Sequence, residues 1–469
     1  MEHNNLLKKT GLYLVGNMSS KVLNIFIIPI YAFYIQTEEL GYFNYTQTIM
    51  NVLIPIIYIA IWEAVLKYLL SENDENIKNV VMSSTTFFTL TISSVFFVIY
   101  RIIISLIWPD IKYVWLIILM YISYAISQIW QYMARALGEN IIYIIAGLIG
   151  TITNLSLIIA LVCVFKHGLT GLYIPYILAQ VLMIIIIEYK IRALKRLKFK
   201  YFDLQILKKM LLFSAPLVLN LISSWAMSGF GSIIITSKLG TKANGMYFFA
   251  SKFSALIFVI GSVVTMAMIE ETITISKISN LNYRFKNIIN QLFMVFGVVL
   301  LFLMPIVSLF YSTIGNTSYA DTLKYVPPLL LFSYFSIMAS NIGAALQALD
   351  KTNLQFIATL FGAICTLLVS VPLIDNIGIY SVVYGQMIGA FTMMMARYLF
   401  VRKYIEMDID FKTMSKLLVA FCVLSIISIS QNSLINVLII TTGGLIIMFK
   451  CKKEILEISK YIASKIRYK

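Results

Sequence analysis

Residues 207–252 read LKKMLLFSAPLVLNLISSWAMSGFGSIIITSKLGTKANGMYFFASK, and residues 7–48 read LKKTGLYLVGNMSSKVLNIFIIPIYAFYIQTEELGYFNYTQT. The later stretch repeats the order of the earlier one. Leu7-Lys8-Lys9 returns as Leu207-Lys208-Lys209, the polar stripe Asn17/Ser20/Lys21 as Asn220/Ser223/Ser224, and Gly41-Tyr42-Phe43 as Gly245-Met246-Tyr247. Further along, Arg135-Ala136-Leu137 is answered by Gln347-Ala348-Leu349, and Gly171-Leu172-Tyr173 by Gly378-Ile379-Tyr380. One short apolar word recurs easily by chance; several in a shared order, at an offset of roughly 200 residues, mark a duplicated unit. In membrane chains such duplication accompanies a site between the repeats.

The composition sets the medium. With 60% hydrophobic and 12% charged residues and a mean hydropathy of +0.88, the chain carries about half the charge of a soluble globule. Apolar stretches of roughly 20 residues number about fourteen. Twelve are firm, while the last two, separated by Gln431-Asn432-Ser433, read as two spans, a re-entrant pair or one long span. The expected fold is all-α integral membrane with 12 to 14 transmembrane helices: a first lobe over 1–200 (spans one to six), a second over 201–405 (spans seven to twelve), then 406–469 with the last two spans and a basic tail. Six spans per half is an even number, so both halves insert with one polarity and form a parallel pseudo-twofold repeat.

Most of the 37 Lys and Arg fall in loops on one side, chiefly Lys190 to Lys209, Arg397 to Lys416 and the tail from Lys450. The positive-inside rule places that side, and both termini, in the cytoplasm. The net charge of +16 therefore reports topology rather than nucleic-acid binding. The four cysteines lack disulfide or metal spacing, and the first apolar run is too long for a signal peptide.

A helix in lipid must turn polar residues at i, i+3, i+4 and i+7 toward protein or water. The first span does so with Asn17, Ser20, Lys21 and Asn24, the second with Asn44, Gln47, Thr48 and Asn51, and their repeat partners with Asn220/Ser223/Ser224 and Ser251/Lys252. These four helices are expected to line a cavity. Ser127, Gln128, Gln131, Thr151 and Asn154 on the fourth and fifth spans read equally well as interhelical glue. Lysine differs, because an intramembrane charge is costly and usually functional. Lys21 and Lys252 are the deep cations, with snorkelling the alternative for Lys252. Lys67 and Arg135, nearer helix ends, read either as substrate contacts or as anchors, and Lys67 could pair with Glu63. Trp225 could stack on a sugar or simply pack. No Asp or Glu occupies a span centre, so the cavity is expected to attract an anion, with phosphate the natural partner of ammonium groups.

No nucleotide-binding, nucleophile-elbow or metal-ligand pattern is present, so no catalytic residue, metal or cofactor is assigned. An Na+ or H+ gradient, or the membrane potential, would supply energy.

With these residues in view, the chain resembles the polysaccharide flippases of the multidrug/oligosaccharidyl-lipid/polysaccharide exporter superfamily. The resemblance runs over residues 5 to 410. It rests on Glu39-Leu40-Gly41-Tyr42-Phe43, Ala134-Arg135-Ala136-Leu137-Gly138, Lys166-His167-Gly168-Leu169-Thr170-Gly171, and Ser214-Ala215-Pro216 with Trp225, Leu239-Gly240, Asn244-Gly245, Tyr247 and Lys252. It implies alternating access by two six-helix lobes in a bacterial cytoplasmic membrane. The implied cargo is an undecaprenyl-diphosphate-linked oligosaccharide, with a polymerase and other assembly proteins as partners. Where relatives carry an Asp-Arg pair in the seventh span this chain reads Gly231-Ser232, and Val263-Val264 replace an Ala-Trp in the eighth.

On this reading Lys21 and Lys252 hold the diphosphate, while Asn17, Asn24, Gln47, Asn51, Asn220 and Trp225 meet sugar. A drug or cation antiporter of the same superfamily is the alternative, disfavoured by the missing deep carboxylate. A membrane glycan polymerase or ligase is a third reading, disfavoured by the lack of large loops rich in Arg or His.

Overall fold

The computed structural model describes residues 23–70, 72–107, 113–275, 281–349, 351–405, 408–430 and 432–450. A short 3-10 turn, Asn24–Phe26, leads into α1 (Ile27–Tyr34), α2 (Thr37–Ile57), α3 (Ile61–Leu70), α4 (Glu75–Ile107), α5 (Val114–Ala136), α6 (Asn140–Ile158) and α7 (Thr170–Ile191). The second half holds α8 (Leu204–Ser228), α9 (Phe230–Ile275), α10 (Leu281–Thr313), α11 (Val326–Ala348), α12 (Thr352–Ile377) and α13 (Ile379–Val401), and α14 (Phe411–Ile429) and α15 (Ser433–Lys450) follow. Among the described residues there is no strand, as a bilayer requires of a chain that must satisfy its backbone within each segment. Eleven helices are long and apolar enough to cross a membrane, twelve when the bent pair α2 and α3 counts as one span. This agrees with the expected 12 to 14 spans, since the first span is described only in part and the apolar stretch of α15, Ser433–Gly443, is short.

Three interruptions shape the bundle. Pro55 has no amide hydrogen to continue α2, and the chain breaks just after it: the Ala60 amide reaches back to the Pro55 carbonyl at 2.9 Å. Ile59 and Ala60 take φ of 49° and 43°, and α3 leaves at 56° to α2. A left-handed non-glycine residue costs about 1–2 kcal/mol, held here by fully buried Tyr58, Ala60 and Ile61. The Tyr58 hydroxyl meets Ser93 of α4 at 2.8 Å. The second break is at Gly240, whose φ of 85° and ψ of 172° only glycine adopts freely, and it divides α9 into two arms. The third is Gly229, between α8 and α9.

The connector between the halves is strapped to α4. Its Ser83 and Ser84, both fully buried, bond Lys198 O at 3.1 Å and the Asp203 amide at 2.9 Å. Phe87 packs edge-on against Phe199 and Phe202. Asp203 then caps α8, accepting from the Gln205 and Ile206 amides at 2.7 and 3.1 Å. Small hydroxyl residues let the chain approach α4 closely, which is why a Ser/Thr-rich third span carries the strap.

Arg397 departs from its expected place among loop cations. It is only 6% exposed and donates to Ala339 O at 2.8 Å and Thr359 Oγ1 at 3.0 Å, tying α13 to α11 and α12. The last two helices dock on α10, where Ser308 donates to Ser428 O at 2.6 Å and accepts from Asn436 Nδ2 at 2.9 Å.

Candidate functional site

Two cavities adjoin along α9, sharing Ala255 and Phe258 as walls. The larger, about 450 Å³, lies between α1, α2, α6, α7 and α9, and its polar side chains are Gln47, Asn154, Lys252, Tyr31 and Tyr176. The smaller, about 260 Å³, lies between α2, α8, α9, α11 and α13 and includes Asn51, Trp225, Ser232 and Gln386. Among the described residues no carboxylate lines either cavity. The Lys252 ammonium stands 3.8 Å from the Phe248 ring centroid and 5.9 Å from that of Tyr31. An ammonium over aromatic faces is partly compensated by their quadrupoles while its N–H donors stay free for a ligand.

The cation and carboxamides proposed for substrate contact are thus partly gathered. Gln47 and Lys252 share the larger cavity, and Asn51 and Trp225 the smaller. Trp225 is committed in part, because its indole N–H donates to Thr48 O at 3.1 Å. Asn220 is exposed on α8 and lines neither cavity. Lys67 and Arg135 lie toward the connector end: Lys67 places its ammonium 3.8 Å from the Phe213 ring centroid across the two halves, and Arg135 sits over Tyr132 and Tyr143. Glu63 accepts from the Tyr132 hydroxyl at 3.2 Å. Asn17 and Lys21 lie outside the described residues, as does the side chain of Asn24.

At the opposite end from the connector the halves are knotted together. Asn44 Nδ2 donates to Ser232 Oγ at 2.8 Å and Asn244 Oδ1 at 3.1 Å. Asn244 Nδ2 donates to Gly41 O at 2.8 Å, and Tyr319 of the second half donates to Ile35 O at 2.9 Å. The helices meet through paired glycines: a Cβ on Gly41 would strike Thr241 O, and a Cβ on Gly245 would strike Thr37 O. The contact is reciprocal, so residues that correspond in the sequence repeat face each other across a local two-fold.

Two parts of this site escaped the sequence. Gln386 bonds the carbonyls freed where α8 ends, Met227 O at 3.3 Å and Ser228 O at 3.1 Å, and pairs with the Tyr247 hydroxyl. A lone glutamine in an apolar helix belongs to no stripe, so nothing in periodicity marks it. Asn154 was legible only as half of an ambiguous stripe, and its position on the wall of the larger cavity depends on how α6 packs on α7.

Residues 6–269, more than half of the chain, match the family described as polysaccharide biosynthesis protein. A curated relative, an uncharacterised membrane protein of Methanocaldococcus jannaschii, is 25% identical over 259 residues, 54% of this chain, and the match spans 58% of that relative's length. Among solved structures the chain is similar to the lipid II flippase MurJ in an inward closed conformation, with a TM-score of 0.68 and 17% identity over 95% of this chain and 99% of that one. It is also similar to an inward-facing multidrug resistance MATE family transporter, at 0.67 and 16% over 87% and 95%, and to an outward-facing one, at 0.59 and 15% over 87% and 96%. At these identities the likeness speaks for the fold. The extent of the family match and the shared helical architecture place the chain in the polysaccharide biosynthesis protein family, on the fold of the MOP-superfamily transporters.

Proposed function

We propose that the protein is a flippase that carries an undecaprenyl-diphosphate-linked oligosaccharide repeat unit from the inner to the outer leaflet of a cytoplasmic membrane. The observation that carries this reading is Lys252, a cation in a cavity with no carboxylate among the described residues of its walls. A diphosphate offers acceptors only, which ammonium donors match, whereas a cationic drug would meet a like charge. The family described as polysaccharide biosynthesis supports a sugar-bearing cargo.

In this mechanism residues 1–200 and 201–405 act as two lobes, and the Lys- and Arg-rich connector side faces the cytoplasm. The glycine seam of Gly41 and Gly245, with the Asn44–Asn244–Ser232 knot, is the outer door, closed in this conformation. Lys67 and Tyr68 already meet Phe213 across the halves at the connector end; these contacts part to admit cargo from the inner side, with its diphosphate on Lys252 and Lys21, and re-form as the seam opens. An ion gradient, the membrane potential or consumption of the product outside drives net export. The helices after residue 406 buttress α10 without lining the path.

The test compares export of the surface glycan in cells carrying Lys252→Gln, Lys252→Arg or the parent protein at equal membrane levels. A charge-assisted bond contributes about 1.5–3 kcal/mol, so Lys252→Gln should lower cargo affinity about 10- to 100-fold, with Lys252→Arg retaining most of it. Unchanged export and affinity in Lys252→Gln would refute the assignment.

A further inference from the structure

The connector between the lobes runs down α4 as it crosses from one half to the other. Arg196 reaches Glu75 at 3.3 Å and Asn79 at 2.8 Å. Lys198 O then accepts from Ser83, the Asp203 amide donates to Ser84, and Phe199 and Phe202 both meet the Phe87 ring. Glu75 to Phe87 is about 18 Å along the helix. About 20 residues cross a hydrocarbon core, and counted back from Ile107, where α4 ends, they stop near Phe88. The connector therefore descends from the aqueous end of α4 to the boundary of the apolar core.

At that depth Phe199, in the 3-10 turn Phe199–Tyr201, is 82% exposed. Held against water, such a ring would forfeit about 25 cal/mol for each Å² of apolar surface that lipid could cover. Lys198 and Lys200 stand on either side of it in sequence and are exposed as well, with stems long enough to raise their ammonium groups to the phosphate level. The carboxylates of this region are engaged: Glu75 pairs with Lys78 and Arg196, and Asp203 caps α8. The two ammonium groups are therefore left to the surface that the ring enters. A zwitterionic surface offers them little net attraction, whereas an anionic one contributes about 1 kcal/mol for each lysine.

We propose that residues 198–200 form a membrane anchor, in which Phe199 enters the acyl region and Lys198 and Lys200 hold the phosphates of anionic phospholipids in the leaflet on the connector side. The anchor ties the joint between the lobes to that leaflet. Neither the cargo nor its path enters the argument, so the anchor stands or falls apart from the flippase reading.

The experiment follows hydrogen exchange over residues 198–202, where the Tyr201 and Phe202 amides are held by turn bonds to Lys198 O and Phe199 O. The full-length protein is placed in nanodiscs of phosphatidylcholine alone or mixed with phosphatidylglycerol. Two lysines at about 1 kcal/mol each should slow exchange up to about 30-fold in the anionic discs, and high salt should remove most of the difference. Lys198→Gln combined with Lys200→Gln should exchange equally in both discs, and Lys198→Arg with Lys200→Arg should keep the slowing. An unchanged unfolding midpoint of the double glutamine variant in phosphatidylcholine discs shows that its fold is intact. Soluble glycerol phosphate added to phosphatidylcholine discs should change nothing. The emission that Phe199→Trp adds to the parent spectrum should be quenched by phosphatidylcholine brominated in its acyl chains.

A parent protein that exchanges equally in the two lipids would overturn the anchor and leave the cations to an acidic protein partner. Slowing that persists in the double glutamine variant would overturn the role of the lysines, and slowing reproduced by glycerol phosphate would make this a site for free phosphate rather than a lipid surface. Unquenched emission from Phe199→Trp would overturn the insertion of the ring.

Discussion

Substituting Gly245 by alanine puts one methyl group where two helices touch backbone to backbone. The new Cβ would strike Thr37 O and come within 2.7 Å of Thr37 C and 3.0 Å of Gly41 N. None of these atoms belongs to a side chain that can rotate aside, so α2 and α9 must separate at this point. Overpacking of this kind costs about 1–3 kcal/mol. Separation also stretches the bonds from Asn44 to Ser232 and Asn244 and from Asn244 to Gly41, worth about 1 kcal/mol each when intact. The closed seam therefore loses about 2–4 kcal/mol, while a conformation with the seam open loses nothing. Even the lower figure raises the open population about 30-fold.

The assay uses a protein whose four native cysteines are replaced and whose Thr48, 6% exposed behind the seam, is changed to cysteine. In sealed vesicles a membrane-impermeant maleimide is added from the Gly240 side, and the labelling rate follows the open population. Gly245→Ala should accelerate labelling at least tenfold. Gly147→Ala, at a glycine with nothing near its added methyl, should not. Unchanged labelling in a Gly245→Ala protein of normal stability would show that the seam is not the door.

Two further outcomes follow from local chemistry. Gln386→Leu leaves the Met227 and Ser228 carbonyls and the Tyr247 hydroxyl without their partner, at a cost of about 1–3 kcal/mol, which should appear as a lower thermal unfolding midpoint in detergent. Asp410, at the start of α14, is held below the usual carboxylate range first by its bond from the Thr413 hydroxyl and next by the Thr413 amide. Its ionised form therefore stabilises the helix start fully above about pH 4, and the effect is lost as pH falls through the lowered value. Hydrogen exchange over residues 411–414 should rise on acidification in the parent protein and show no such step in Asp410→Asn.

The helices, the repeat and the polar stripe of the second span were legible because lipid leaves few options: long apolar runs must be helices, and polar atoms within them must face protein or water. Gly41 and Gly245, equivalent in the sequence repeat, also meet in space, a contact that the repeat by itself does not require. What stayed hidden depends on packing between distant segments. Arg397 looked like a loop cation, because its acceptors Ala339 O and Thr359 lie on other helices. The strap of the connector on Ser83 and Ser84 looked like an ordinary linker beside an ordinary span. The break at Ile59 and Ala60 followed a proline that sequence alone could not separate from the many harmless prolines of membrane helices.

The central claim is movement of a diphosphate-linked sugar between leaflets. In proteoliposomes loaded on one leaflet with fluorescent undecaprenyl-diphospho-N-acetylglucosamine, the fraction reached by a quencher or lectin on the other side should grow with time for the parent protein. It should stay at the protein-free level for Lys252→Gln. Equal rates for the parent, Lys252→Gln and empty liposomes, alongside uptake of a cationic dye by the parent alone, would contradict the account.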